Sequence, residues 1–170
     1  MEILETKRLL LVPVNESHIK DIFENFNEKI IKYMLPPAAK NIEETTNVVK
    51  SFIKQREEGT DYVYAITLKE NNEFIGLVGL HNLKTNNVSV GIWTKYEAHG
   101  NHYGREAIGS IIKYAKKLNY DKLLYDVDRR NKASRKIATY YGGKIIVDYK
   151  KVETLDGRIL KEVVYEIKIK

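Results

Sequence analysis

Apolar positions follow two periods along this chain, and the switches between them mark its elements. Leu9, Leu10, Leu11 and Val12 stand in succession, and Pro13 closes the run, so Arg8–Val14 predicts a strand. Asn15 occupies an N-cap position, and Ile19, Ile22, Phe23, Phe26 and Ile30 follow at helical spacing as one stripe. Pro36-Pro37 ends that region. Glu43–Glu58 predicts a second helix, with Thr45, Val48, Val49, Phe52 and Ile53 inward and Gly59 as its stop.

From Tyr62 the period becomes two. Tyr62–Leu68, Glu73–Leu83 and Val88–Thr94 predict strands joined at Asn71-Asn72 and Asn86-Asn87. Turns this short impose an antiparallel meander. Gly76, Gly79 and Gly91 inside these strands predict a bulge or a closely approaching backbone. Helical spacing returns over Gly104–Leu118, where Ala107, Ile108, Ile111, Ile112, Ala115 and Leu118 share a face. Lys122–Val127 reads as a strand, Lys132–Tyr141 as a short helix stopped by Gly142-Gly143, and Lys144–Val152 with Ile159–Ile169 as a closing hairpin. No repeat, linker or second domain interrupts the 170 residues. The expectation is one domain, 1–170, of α+β (mixed α/β) class.

Composition then removes chemistries. The chain has no cysteine, which excludes a disulfide framework, a thiol nucleophile and a cysteine-ligated zinc. His99 and His102 form a pair without further ligands, so no metal is expected. No run reaches the roughly 18 apolar residues of a membrane span. The first residues carry acids where a secretory leader would be basic. A cytoplasmic protein, monomer or homodimer, with no membrane partner is the expectation. Lysine and arginine number 29 against 23 acids, a net charge of +6 spread over short runs such as Lys116-Lys117 and Arg129-Arg130. This surplus attracts anions, nucleotide phosphates among them. Twelve tyrosines beside it would suit RNA stacking, but no nucleic-acid-binding motif accompanies them.

The segment with most chemistry in it is Ser89–Ala115, a strand, then a glycine-bearing loop, then an amphipathic helix. N–H groups at such a loop and at a helix N-terminus lack partners and point at whatever binds there, and a pyrophosphate is a natural guest. No Gly-Lys-Ser/Thr follows, so the loop is not a P-loop.

In this segment HGNHYGREA, His99–Ala107, is similar to the W-G-K/R-G-Y/I-A/G-T-E-A stretch of the GNAT superfamily of N-acetyltransferases, in the group that acetylates ribosomal-protein N-termini. Gly100, Tyr103, Gly104, Glu106 and Ala107 match, while His99, Asn101 and His102 replace the aromatic, basic and glycine positions. The opening ETKRLLLVPV resembles that group's T-x-R-L-x-L-R-P start, IGLVGLHNL its I-G-x-x-G-L strand, and SVGIW its E-I-G-Y-W strand. NKASRKIATYYGG resembles N-x-x-S-x-x-V-L-x-K-x-G-F, with Asn131, Ser134 and Gly142 matching.

The resemblance implies a splayed, mostly antiparallel central sheet flanked by helices, with acetyl-coenzyme A as co-substrate in the wedge. It implies that Ile92, Trp93 and Thr94 run beside the pantetheine and that His99, Gly100, Asn101, His102, Tyr103, Gly104 and Arg105 surround the pyrophosphate. Asn131 and Ser134 contact the coenzyme by the same analogy, and Arg105 and Arg135 could meet its phosphates. The tyrosine acid of many members falls on Ala138, so Ser134 becomes the candidate that protonates or holds the departing sulfur. The glutamate of the ribosomal group falls on Ser89, so His81, with His102 behind it, becomes the candidate base. Tyr140 and Tyr141 could line the thioester channel, and Tyr141 is carried as a catalytic candidate. The implied activity is acetyl transfer to a primary amine, with a protein N-terminus first. A polyamine or aminoglycoside-like amine, or a non-catalytic coenzyme A- or RNA-binding role, are the alternatives. Acceptor recognition would fall to Ile31–Asn41, the first two helices and the Glu153–Arg158 hairpin.

Overall fold

In the computed structural model, which describes residues 1–170, eight strands form one sheet in the order β1-β2-β3-β4-β5-β6-β8-β7. The strands are β1 (Leu4–Glu5), β2 (Leu9–Pro13), β3 (Tyr62–Leu68), β4 (Phe74–His81), β5 (Ser89–Thr94), β6 (Lys122–Asp128), β7 (Lys144–Glu153) and β8 (Ile159–Lys168). The helices are α1 (Ile19–Asn25), α2 (Ile42–Glu58), α3 (Tyr103–Lys117) and α4 (Lys132–Tyr140). Every neighbouring pair is antiparallel except β5 with β6, which are parallel. The mixed α/β architecture and the meander are as the sequence predicts. No helix is long and apolar enough to cross a membrane.

Both faces of the central strands are covered, which is why β4 is apolar and buried from Phe74 to Leu80. One face takes α3, whose Ala107, Ile108, Ile111 and Ala115 pack against Leu11, Tyr64, Val78, Leu80 and Val90. The other takes α1 and α2, where Ile22 and Val49 meet Val63, Ala65 and Leu77. The predicted bulge lies where β3 meets β4, with Ile66 opposite Gly76 and Thr67 opposite Phe74.

The first helix is shorter than its apolar stripe predicts. A 3-10 turn, Glu16–His18, precedes α1, closed by a capping box in which the Asn15 N–H donates to His18 Nδ1 at 3.0 Å. The amides of Asn25, the last residue of α1, and of Asn27 just beyond it donate to the Asp21 and Glu24 carbonyls. These side-chain bonds compete with the helical ladder and end it before Ile30. In α2, Val48 departs from the predicted inward face and is 46% exposed.

Candidate active site

The pairing of β5 with β6 lasts for one register position, Ser89 opposite Leu124, beside the Leu124 N–H bond to the Val88 carbonyl. Beyond it the two strands share no further pair. The Lys95 N–H donates to the Ile75 carbonyl. By the alternation of an antiparallel ladder, the peptide groups of Gly91 and Trp93 then face β4, and those of Ile92 and Thr94 face the open edge. The chain thus splits its own sheet and leaves strand backbone free along the split.

That edge leads to the N-terminus of α3. Gly100 has φ +86° and His102 φ +60°, so the loop makes two left-handed steps into the helix. The N–H groups of His102, Tyr103, Gly104 and Arg105 donate to no backbone carbonyl. Free N–H groups with the helix dipole behind them suit an anion. Gly104 lets this turn sit close: a Cβ there would lie 3.3 Å from Ile137 Cδ1 and 3.5 Å from Ile92 Cδ1.

Glu106, an acid in the first turn, would oppose a phosphate if its charge were free. Instead its carboxylate accepts the Thr6 hydroxyl at 2.7 Å, the Arg8 N–H at 3.1 Å and Arg8 Nε at 3.0 Å. Burial pushes its pKa up, and the bonds from Thr6 and Arg8 outweigh burial and leave it lowered. Arg8 also donates to the Asn101 carbonyl at 2.9 Å and stacks over Tyr103 at 4.6 Å. The T-x-R-L start and the E-A of the loop motif are therefore two halves of one clamp, a link that sequence spacing does not reveal.

On the β6 side, Asn131 caps α4 through the Ser134 N–H at 3.3 Å. The Ser134 hydroxyl hydrogen-bonds the Tyr125 hydroxyl at 2.8 Å. Burial pushes the Tyr125 phenol up to about 12, so it stays protonated. Tyr125 was missed in the sequence because, within an apolar strand, it looks like any core aromatic. Upstream, Asp128 accepts Arg130 Nε, Nη2 and N–H and the Lys161 N–H. Burial opposes its ionisation, but these bonds prevail and hold its carboxyl at about 2. Its carbonyl accepts the Asn131 N–H, which fixes the turn that delivers α4.

A cavity of about 470 Å3 runs through the split, lined among others by Phe26, Phe52, His81, Ile92, Trp93, Tyr125, Asn131 and Ser134. His81 enters it from the α1/α2 face of β4. Its Nδ1 lies 3.0 Å from Asp61 Oδ1, so Nδ1–H donates to the carboxylate, and in the neutral imidazole Nε2 is the acceptor. The ring lies across two glycines: a Cβ at position 79 would come within 2.9 Å of Nε2, and one at position 91 within 3.5 Å. Ser89 is His81's partner across the strand pair.

Other candidates fall elsewhere. Tyr141 lies outside this cavity, and its hydroxyl donates to the Arg105 carbonyl at 2.5 Å, tying α4 to α3. Its place is structural, because that bond commits the hydroxyl away from the split. Trp93 turns its indole to the opposite face from α3, 5.1 Å from Phe26 and 5.9 Å from Phe74 between ring centroids. It therefore walls the cavity instead of meeting pantetheine with its side chain. Arg135 is used internally, on the Tyr165 hydroxyl and the Arg129 carbonyl. Arg105 lies over the Tyr140 ring at 4.4 Å. His99 Nε2 reaches the Thr94 carbonyl at 2.9 Å and closes the end of the open edge. His102 is exposed.

The loop after α1 roofs the cavity. Arg158, from the β7–β8 hairpin, donates to the carbonyls of Ile31 at 2.5 Å, Met34 at 2.8 Å, Pro36 at 3.2 Å and Leu35 at 3.4 Å. Asp156 orients it through Nε at 2.7 Å. The two segments expected to share acceptor recognition are thus one latched unit.

A family model for the acetyltransferase (GNAT) domain matches residues 8–144. The uncharacterized N-acetyltransferase YoaA of Bacillus subtilis (strain 168) is 26% identical over 115 residues, 66% of this chain and 65% of that protein, so the match spans slightly under two thirds of that relative. Among solved structures, an acetyl transferase from Salmonella typhimurium that modifies the N-terminal serine of 50S ribosomal subunit protein L7/L12 has a TM-score of 0.87 at 18% identity, covering 99% of this chain and all of that one. A ribosomal L7/L12 alpha-N-protein acetyltransferase in complex with coenzyme A has a TM-score of 0.87 at 19% identity, covering 98% of both chains. Identities this low carry the fold alone. The family model spans most of the chain, including the split strands and the whole α3 loop, and the chain belongs to the acetyltransferase (GNAT) domain family.

Proposed function

We propose that this protein is an acetyl-coenzyme A-dependent N-acetyltransferase whose acceptor is the α-amine at a protein N-terminus. The observation that carries the reading is the free edge of β5 leading into the unbonded N–H groups of α3. Pantetheine carries amides suited to a strand edge, and pyrophosphate carries charge suited to a helix N-terminus. Glu106, neutralised by Arg8, leaves that charge unopposed. The likeness to proteins that acetylate the N-terminus of L7/L12 supports an α-amine as acceptor and leaves the first residue open.

His81 and Ser134 divide the chemistry. His81 Nε2 takes a proton from the amine as its nitrogen bonds to the acetyl carbon. An α-amine, near pKa 8, suits an imidazole base better than a lysine near 10.4. Asp61 acts as a positioning residue that holds the tautomer. The carbon–sulfur bond then breaks, and the Ser134 hydroxyl donates to the departing thiolate while Tyr125 donates to Ser134. The Ile92 peptide groups, the Thr94 N–H and the first turn of α3 hold the coenzyme, with Asn131 beside the thiol end.

Calorimetry and thermal unfolding with acetyl-coenzyme A, followed by mass spectrometry of N-terminal peptides, test the reading. The coenzyme should raise the melting temperature, because it binds the folded state. No binding near millimolar coenzyme would overturn it. A salt-sensitive shift by RNA instead would install a nucleic-acid-binding role.

A further inference from the structure

We propose that the acceptor carries a bulky apolar group beside its amine: at a protein N-terminus, a first residue such as phenylalanine or leucine. The inference rests on the transferase reading above and concerns what the acceptor half of the same cavity selects.

The walls on that half are apolar. Phe26 and Trp93 lie 5.1 Å apart between centroids, with Phe52 and Met34 beside them. Apolar surface continues to the mouth, where Leu35 is 53% and Val48 46% exposed and Pro36-Pro37 forms the rim. Val48 is the position that the apolar stripe of α2 predicts to be inward. Its exposure leaves hydrophobic surface that the fold itself does not cover.

The charge is equally one-sided. The chain has 29 lysines and arginines, yet none lines this cavity. Its formal charges are Asp126, Asp128 and Glu162. Asp128 is committed to Arg130 and to backbone. Asp126 and Glu162 share a single lysine, Lys150, at 3.8 and 3.7 Å. Two carboxylates against one cation leave one negative charge to attract an ammonium. Burial and the neighbouring Asp126 push the Glu162 carboxyl up, as expected of an under-compensated acid.

Together these features describe an occupant with one positive charge and an apolar body. A polyamine offers several charges where the walls present no spaced carboxylates. An aminoglycoside would bury hydroxyls against Phe26, Phe52 and Trp93 without partners, which is costly. A serine or aspartate first residue would leave the apolar walls unfilled. The cavity of about 470 Å3 also takes the thiol end of the coenzyme, so its acceptor half suits an end of a chain, not a folded surface.

The test compares peptides identical after the first residue and starting with Phe, Leu, Ala, Ser or Asp, alongside phenethylamine and spermidine. Transfer and, separately, calorimetric binding in the presence of coenzyme A are measured. Phe and Leu peptides should exceed Ser and Asp peptides by roughly 10- to 100-fold in kcat/KM, and in the same order in binding. Val48→Asn should compress that ratio several-fold, with acetyl-coenzyme A affinity and melting temperature held. Ser and Phe peptides handled alike, or spermidine preferred to all peptides, would overturn the proposal. Phenethylamine matching the Phe peptide would also overturn it, assigning the site to small amines. If no acceptor is acetylated, the transferase reading fails, and the binding order still decides this one.

Discussion

On the proposed coenzyme side of the split, a single unbroken stretch, Ile92–Arg105, supplies the open strand edge, the loop and the helix N-terminus, and what it offers is backbone. On the acceptor side, side chains from α1, α2, the loop between them, β4, β5, β6 and β8 meet across the cavity. The first construction tolerates changes of side chain so long as the chain keeps its path. The second changes its guest whenever a side chain changes. This contrast explains how His99, Asn101 and His102 can replace motif positions while the anion site persists. It also locates specificity in residues that no motif contains.

The largest expected effect divides the two sides at His81. His81→Gln should lower turnover by about 10²- to 10⁴-fold and leave acetyl-coenzyme A affinity in place. Asp61→Asn should cost about 10- to 100-fold, because an amide donating to Nδ1 moves the proton onto Nε2. In a His81→Gln background it should add nothing. The other titratable groups in the cavity are Tyr33, Tyr125, Asp126, Asp128 and Glu162. Turnover that survives His81→Gln and collapses in Glu162→Gln would transfer the base role to that carboxylate. Loss of coenzyme affinity in these variants would break the division between the sides.

Ser134 lies where the sides meet. A hydrogen bond to a developing thiolate is worth about 1.5–3 kcal/mol, so Ser134→Ala should slow turnover roughly 10- to 150-fold with coenzyme affinity nearly constant. Tyr125→Phe should reproduce a smaller part of that loss. The Asp128 turn behind them has its own pH signature. Its carboxyl is held at about 2 against an ordinary 3.8, so the stability it contributes is complete above that ordinary value and is lost as pH falls toward 2. Rate lost near neutral pH therefore does not come from this turn. Unchanged turnover in Ser134→Ala would reduce Ser134 to a helix residue.

A smaller effect tests the acceptor side alone. Arg158→Ala removes the donors that hold four loop carbonyls, and it should raise acceptor KM by about tenfold, or about 1.4 kcal/mol. Coenzyme affinity should not move, and hydrogen exchange should quicken across 31–36. An equal rise in both KM values would show that the latch braces the whole split.

The same contrast decides what the sequence discloses. Strands and helices follow from period, and the Ile92–Arg105 region follows from a local motif, so these are legible. Asp61, Tyr125, Glu162 and Arg158 are not. Asp61 lies 20 residues from His81, and Arg158 lies 122–127 residues from the carbonyls it holds. Only the folded sheet brings such pairs together. Tyr141 misleads for a related reason: it follows α4, which carries Ser134, but α4 turns it toward Arg105 and away from the cavity. Trp93 misleads because adjacent strand residues face opposite sides.

The smallest expected effect probes the backbone rule itself. His102 replaces a glycine of the motif and holds φ +60°, ψ 23°, the left-handed region that costs most residues about 1–2 kcal/mol. His102→Gly removes that cost and returns part of it as unfolded-state entropy, about 0.5–1 kcal/mol. The net should be a gain in stability of up to about 1 kcal/mol, measured by denaturant unfolding. Coenzyme affinity should hold or tighten, because the donors are N–H groups that glycine also carries, and turnover should stay within roughly tenfold. His102→Ala separates strain from contact. Alanine keeps the left-handed cost and loses the imidazole, so it should gain none of the stability and bind coenzyme as the histidine does. A tenfold loss of affinity in both variants would mean that the imidazole itself meets phosphate, and the coenzyme side would then read side chains as the acceptor side does. A drop in turnover beyond a hundredfold with affinity unchanged would make His102 a catalytic residue.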